Sequence, residues 1–371
     1  MCSDNGITQL QLQLLNSLVS IYGDAVDLLS LGASTGIARK WLADNDLKIS
    51  VLRGAYPFLA YLNAIMWYGG SAVLCNKLRL IDRFYFPIRT PLPRSWINRY
   101  HIIVCYYPWG HRLLRLERAA GKVVANLADI MADRHERMGA RRWISITAKE
   151  ENAIFHSGAR CVAVSQSDAE EFNQLYGVRP EVMNFVPPDH AKLMELALQV
   201  RSPCVGFLGA PSFVNEEIMR ILAHPEFLSC LSRKGVELIV AGGICRTVDP
   251  ALLRVIEEGG GRVLGRIPST IDFYRQVSVT LNPVGPSTGV KIKSIESLIA
   301  GKVLITTRWG VDPDLASSFP GQVVYTDWPV DPSTLGDLAI QATQSSVAAP
   351  SFAAKEYVEK SQKCLQGLHI R

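Results

Sequence analysis

The sequence predicts an α/β protein made of two doubly wound, parallel-sheet domains. Three observations predict it. Runs of buried-strand character alternate with helical patterns almost throughout, which is the pattern of parallel sheets covered by helices. That alternation breaks once, at Pro187-Pro188-Asp189, and restarts cleanly at Cys204. A chain of 371 residues with 48% hydrophobic composition has enough apolar surface for two ordinary cores.

In the first half, strands are expected at 26–32, 48–54, 101–107, 122–129 and 160–166, with a short one at 182–186. Helical patterns lie at 8–22, 35–43, 110–119, 146–156 and 167–175. The opening departs from this scheme. Such a domain starts with a buried strand, whereas Ser3-Asp4-Asn5-Gly6 is loop-like and leads straight into a helix. Either a first strand is missing or the first sheet is reorganised. In the second half, strands are expected at 204–209, 237–242, 262–267, 277–283, 302–307 and 323–326, with helices between. Pro350 marks the start of a last helix, 352–368. The expected division is a first domain at 1–195, a second at 196–349, and a terminal helix at 350–371 packing back on the first domain. Two such domains leave a central cleft at the carboxyl ends of their strands, where ligands bind.

Composition excludes several classes. A net charge of +5 spread along the chain is no footprint of a nucleic-acid binder. Eight cysteines without a C-x-x-C pair, and seven histidines without ligand spacing, point to free thiols in a reducing cytoplasm and to no zinc site. Asp4 and the polar 9–13 stretch leave no secretory leader in view. One region touches on membranes. Residues 55–75 carry no charge, a length that suits a span of roughly 20 residues. Pro57, Asn63 and Gly69-Gly70 interrupt it, and its three tyrosines and Trp67 are interfacial residue types. Lys77, Arg79, Arg83, Arg89, Arg94 and Arg99 follow, interleaved with Phe84, Tyr85, Phe86 and Trp96. Residues 53–100 therefore read either as a core helix with a solvated loop or as a surface for anionic lipid or a lipid-linked acceptor.

The most informative stretch runs from Asn282 to Thr307: a strand end, a Gly/Pro/Ser loop, a short helix and a second buried strand. Gly289 lets backbone approach a ligand at a helix start, where unpaired amides and the helix dipole favour an anion. Lys291 and Lys293 add positive charge to that turn, and Glu296 follows Lys293 at i+3. An anion grip beside a carboxylate that holds ribose hydroxyls suits a nucleoside diphosphate. Elsewhere, Asp129 ends a strand, where it either contacts a sugar or caps the following helix. His111 follows a strand end. Arg134 meets either an acceptor phosphate or its neighbours Asp133 and Glu136. Asn215 is expected to cap or pin the first helix of the second domain. Gly32 to Gly36 resembles a small anion loop but lacks dinucleotide spacing.

The order of these motifs resembles nucleotide-sugar glycosyltransferases of the GT-B fold, in their retaining family-4-like group. The residues that carry the resemblance are Val205-Gly-Phe-Leu-Gly209 with Asn215, Leu238-Ile-Val-Ala-Gly-Gly243, Val263-Leu-Gly-Arg266 with Phe273-Tyr274, and the 283–307 stretch. In the first half, Asn5-Gly6, Asp129 with Arg134, Trp143 and Glu150-Glu151 fit the same pattern. The resemblance implies that Gly289 and Val290 offer amides to the donor diphosphate, with Lys293 as charge partner and Glu296 on the ribose. Gly209 lies under the diphosphate or sugar; Gly265, Arg266 and Ile267 border the base. Asp129, Glu296 and Lys293 are the implied catalytic group, and Gly6, His111 and Arg134 the acceptor-side candidates. No cofactor and no metal is implied, since amides and ammonium groups can stabilise the leaving diphosphate. The implied partners are a nucleotide-sugar donor and a glycan or lipid-linked acceptor. The implied place is the cytoplasm, at the inner face of the membrane, in surface polysaccharide or glycolipid synthesis. Two positions depart from the family pattern. Thr288 stands where a second glutamate is common, and Ala128 where a histidine is common. These keep open a catalytically impaired sugar-nucleotide-binding scaffold, beside a nucleotide-sugar epimerase.

Overall fold

The computed structural model describes residues 13–15, 18, 19, 23, 26, 79, 80, 92–106, 111, 114–127, 130, 132, 143, 144, 148–197, 203–287, 289–345 and 351–367. The expected strands at 26–32 and 48–54, the chain opening, the 55–75 segment and most of 53–100 lie outside them. Contacts divide the chain into two compact units, 14–184 and 185–371, the latter joined by 1–13.

In the 14–184 unit the strands are β1 (Arg79–Leu80), β2 (Ile103–Tyr106), β3 (Val123–Leu127), β4 (Trp143–Ile144), β5 (Arg160–Ala163) and β6 (Glu181–Val182). Strands β2, β3, β5 and β6 form a four-stranded parallel sheet in that order, while β1 pairs with β4. Every residue of β3 is buried, as a central parallel strand requires. Among the described residues, the unit's helices include α1 (Arg94–Asn98), α2 (Ala148–Phe155) and α3 (Gln166–Tyr176). Ser165 caps α3, its Oγ accepting from the Asp168 amide, and Gly177 ends it with a left-handed φ of 67°. The expected helix at 110–119 differs. Arg115 has a positive φ of 54°, which no α-helix tolerates, and the chain continues as a 3₁₀ segment at Leu116–Lys122.

In the 185–371 unit, β7 (Cys204–Leu208), β8 (Glu237–Ala241), β9 (Arg262–Gly265), β10 (Val279–Asn282), β11 (Val303–Thr306) and β12 (Val323–Tyr325) form one parallel sheet. Its order is β12-β11-β10-β7-β8-β9, so direction of winding reverses between β7 and β10. Helices α4 (His190–Leu196), α5 (Phe213–Leu222), α6 (Pro225–Arg233), α7 (Pro250–Glu258), α8 (Thr270–Gln276), α9 (Ile292–Ile299), α10 (Pro313–Ser318), α11 (Pro332–Gln344) and α12 (Ser351–Gly367) surround it.

Strand alternation fills two apolar layers. Val205, Phe207, Leu238, Val240, Val279, Leu281, Val303 and Ile305 point to the layer of α5, α6, α7 and α11. Cys204, Ile239, Ala241 and Leu304 point to the layer of α4, α8, α9 and α12. Phe185, Val186, Leu193 and Leu196 belong to this second layer. The contact boundary therefore falls at Asn184/Phe185, ahead of the expected 195/196. The last helix lies with the same unit. Ala354, Tyr357 and Val358 are buried in its second layer, and Tyr357 Oη donates to Phe185 O at 2.8 Å.

Candidate functional site

In an open parallel sheet, ligands bind outside the carboxyl ends of the strands where the winding reverses. In the 185–371 unit that place lies between the loop after β7 (209–212) and the loop after β10 (283–291). Both loops lead into helices, α5 and α9. A side-chain bond joins the two helix starts: Lys293 Nζ donates to Asn215 Oδ1 at 2.9 Å. Asn215 was expected to cap or pin α5, and it pins. Ser212 is the cap, its Oγ accepting from the Asn215 amide at 3.2 Å. The Asn215 side chain is thereby left to donate to Ala210 O at 2.8 Å and to accept from Lys293.

Helix α9 is fixed to the sheet by a polar seam. Thr280 and Asn282 leave β10 on its α9 side, opposite the apolar Val279 and Leu281. Asn282 Nδ2 donates to Ser294 Oγ at 2.8 Å and to Gly310 O at 3.0 Å, and Thr280 Oγ1 bonds Ser297 Oγ. Six consecutive residues of α9, 294–299, are buried. Gly289 sits in the loop before it with φ 79°, the left-handed region glycine supplies without strain. Lys291 folds back on this loop, its Nζ donating to Gly289 O at 2.7 Å. In the same loop the Ser287 hydroxyl is buried without a hydrogen-bond partner among the described residues.

Lys293 is held by neutral groups. Besides Asn215, its Nζ sits 4.5 Å from the centroid of the Phe207 ring. Burial first, and then the neighbouring Lys291, pull its ammonium down to about 7. Glu296, three residues on, is 5% exposed. Its Oε2 accepts from Tyr274 Oη at 3.1 Å, and the same hydroxyl lies 3.1 Å from Lys293 O. Burial pushes the carboxyl up to about 7; the Tyr274 bond works against this, and Asp189 adds to it. Burial and the adjoining Glu296 also raise the Tyr274 phenol.

At the ends of β7, β8 and β9, the backbone closes into a row of glycines. Gly242 N donates to Gly265 O at 2.8 Å, and Gly209 N donates to Ala241 O at 2.9 Å. Gly242 has φ 105°, and a Cβ there would lie 2.3 Å from Gly209 O, so only glycine permits this approach. Gly209 and Gly265 thus share one rim with the 283–291 loop. Arg266 next to it is exposed, and Ile267 packs against the second apolar layer.

Of the residues singled out by sequence, Gly209, Gly265, Arg266, Ile267, Gly289, Val290, Lys293 and Glu296 fall in this unit. Gly6, Asp129, Arg134 and Thr288 lie outside the described residues. His111 belongs to the other unit. It is 3% exposed and bonded to Ser157 Oγ at 3.2 Å. Because that hydroxyl donates to Ile154 O at 2.6 Å, the imidazole Nε2 is the donor. Burial lowers the pKa of His111. Sequence reasoning assigned no role to Phe207 or Asn282. Nor did it see how Glu151 fits: fully buried, it accepts from Ala132 N at 3.2 Å and Tyr176 Oη at 2.6 Å, tying the chain after β3 to α3. Among the described residues, no three His, Cys, Asp or Glu side chains group as metal ligands. No described helix is long and apolar enough to cross a membrane.

No family model matches the chain, and no curated protein matches it. Solved structures do. HepE from Anabaena, in complex with UDP and glucose, is similar with a TM-score of 0.61 at 14% identity, over 99% of this chain and 95% of that one. The same protein in complex with UDP-glucose gives a TM-score of 0.60 at 14% identity, over 99% and 97%. A glycosyltransferase from Rickettsia africae gives 0.58 at 13% identity, over 99% and 91%. These likenesses establish the fold class expected from the sequence: GT-B, with two Rossmann-like units in one chain.

Proposed function

We propose that this GT-B chain moves a sugar from a nucleoside-diphosphate sugar to an acceptor hydroxyl, and that the 185–371 unit holds the donor. The observation that carries the reading is the Lys293–Asn215 bond across the point where the sheet reverses its winding. It sets the Lys293 side chain between the starts of α5 and α9, beside the loop after β10. In this reading the Gly289 and Val290 amides and Lys293 take the diphosphate. The Ser287 hydroxyl, buried without a partner, suits a diphosphate oxygen. Glu296 takes the ribose hydroxyls, and Gly209, Gly265, Arg266 and Ile267 border the sugar and base.

The chemistry follows from charge. As the bond from anomeric carbon to diphosphate oxygen breaks, negative charge gathers on the departing diphosphate. Fixed amides and a poorly hydrated ammonium stabilise that charge without reorganising. No nucleophile need come from the protein. Family resemblance supports retention of anomeric configuration, with Asp129 on the sugar or acceptor. It also supports a glycan or lipid-linked acceptor from surface polysaccharide or glycolipid synthesis, met at an anionic membrane face through residues 53–100.

The test is a panel of UDP-, GDP- and dTDP-sugars scored by thermal shift and by nucleotide release. Binding with slow hydrolysis that accelerates with acceptor is expected. Tight binding without turnover for any acceptor would favour a sugar-nucleotide-binding scaffold, and no binding at all would sink the reading. For the membrane face, flotation with anionic liposomes should weaken when Arg79, Arg83 and Arg89 are neutralised; unchanged flotation rejects that surface.

A further inference from the structure

Gly285, early in the loop after β10, is glycine for a reason other than its backbone. Its φ lies outside the left-handed region, so the chain path alone does not ask for glycine. What excludes a side chain there is Trp328. A Cβ at Gly285 would lie 2.7 Å from Cζ2, 2.8 Å from Cε2 and 3.2 Å from Cη2 of that indole. Ordinary carbon contacts are about 3.5–4.0 Å, so a methyl group would need roughly 1 Å of movement by the ring or by the loop.

The ring is anchored on both sides. Before it, β12 pairs with β11, and Thr326 N donates to Thr306 O at 2.9 Å. After it, Asp331 caps α11, accepting from Thr334 N at 2.8 Å and from Ser333 Oγ at 2.7 Å. Between these ties Val330 is buried in the first apolar layer, against which Trp328 and Trp309 also pack. The loop is tied at its base. Val284 is buried in the same layer, and its carbonyl accepts from Thr307 Oγ1. Past Gly285 the chain comes to the surface at Pro286, which is exposed. Ser287 and the left-handed turn at Gly289 follow within four residues.

We propose that Trp328 is a positioning residue of the donor site: its ring is the wall that sets the path of residues 284–287, and so the place where the Ser287 hydroxyl and the Gly289 and Val290 amides meet a diphosphate. The inference rests on the donor-binding reading given above. Trp328 acts through Gly285 and makes no contact of its own with the donor. A binding constellation has to be held within about 0.5 Å of its working geometry. A misplacement of about 1 Å costs about 100-fold. The methyl of Gly285→Ala imposes a shift of that size two residues ahead of Ser287, and the anchoring of Trp328 sends the shift into the loop.

A size swap on the full chain tests this, with UDP-glucose and GDP-mannose as probes. Calorimetry gives the Kd, nucleotide release the turnover, and urea the stability of every variant. Gly285→Ala should weaken binding by about tenfold or more. Trp328→Phe, which lacks the outer ring of the indole, should weaken it a few-fold. In Gly285→Ala/Trp328→Phe the methyl takes the space the outer ring leaves, and binding should recover about tenfold over Gly285→Ala, the coupling expected of residues in contact. A tryptophan that only filled the apolar layer would lower the urea midpoint and the fraction of protein that binds. It would leave the Kd of the folded fraction in place, and the two changes would add. Additive losses, or an unchanged Kd in Gly285→Ala, overturn the inference alone. Should Gly285→Ala not fold, Trp328→Phe decides. Its Kd should weaken and hydrogen exchange across 283–291 should quicken while 237–245 keeps its protection; an unchanged Kd overturns the inference. Wild type that binds neither probe takes down the donor-binding reading, and this inference with it.

Discussion

Replacing Glu296 by glutamine should stabilise the free protein at neutral and alkaline pH and leave it unchanged in acid. The carboxyl has its folded pKa raised from 4.5 to about 7. A raised pKa means the folded state binds more protons, so the contribution is fully present below the unfolded value of 4.5 and is lost as pH rises through about 7. At 1.36 kcal/mol per unit, 2.5 units amount to about 3 kcal/mol once Glu296 is fully ionised. That is a large share of the ~5–15 kcal/mol by which domains are stable. Glutamine never ionises and still offers Tyr274 an amide partner. Wild type and Glu296→Gln should therefore coincide near pH 4.5 and separate by about 3 kcal/mol at pH 8, the variant being more stable. A urea series at each pH, read by pulse hydrogen exchange on the peptide spanning 279–299, keeps the transition specific to this unit. A constant difference across pH, or a wild type that gains on the variant as pH rises, would refute the reasoning. In the proposed donor site the same change removes the charged acceptor for ribose, so stability should rise as donor affinity falls.

Three further outcomes follow from other contacts. Gly242→Ala places a Cβ 2.3 Å from Gly209 O on a backbone at φ 105° that alanine disfavours, so it should lose about 3 kcal/mol or more in urea unfolding, and donor affinity with it. An unchanged midpoint would mean the strand ends yield easily. Asn215→Leu removes the oxygen that Lys293 Nζ reaches at 2.9 Å. Donor binding should weaken about tenfold, the net loss of one charge-assisted bond, and weaken further toward pH 8, where Lys293 is mostly neutral. Equal weakening at pH 6 and pH 8 counts against a titrating Lys293. Glu151→Ala takes away the acceptor of Ala132 N and Tyr176 Oη. Hydrogen exchange should speed up by about 1–3 kcal/mol of opening energy in peptides covering 123–132 while 279–299 keeps its protection; faster exchange in both would make the tie global.

The central strands of the 185–371 unit, β7, β8, β10 and β11, were legible because each is a short, largely apolar run that buries both faces. The expected 204–209, 237–242 and 302–307 became Cys204–Leu208, Glu237–Ala241 and Val303–Thr306. The candidate loop drew attention for a local reason as well, since glycine, lysine and glutamate fall within eight residues. The partners were not. Asn215 and Lys293 stand 78 residues apart and Tyr274 and Glu296 stand 22 apart, and only the order of strands brings them together. The capping rule named a residue type near the start of α5 and picked Asn215 there. Ser212, three residues earlier, already supplies the cap oxygen. Protonation was the least legible feature. In sequence, Lys293 and Glu296 read as a cation and an anion one helical turn apart. In the fold Glu296 is buried and Lys293 half-buried, each beside neutral partners, and no ion pair joins them among the described residues. Desolvation belongs to the whole unit, to α4, α8 and α12 closing over α9, and no spacing encodes it. Burial pulls the Lys293 ammonium down to about 7 and pushes the Glu296 carboxyl up to about 7, so the charge that each residue type suggests in sequence is not fixed at neutral pH in the fold.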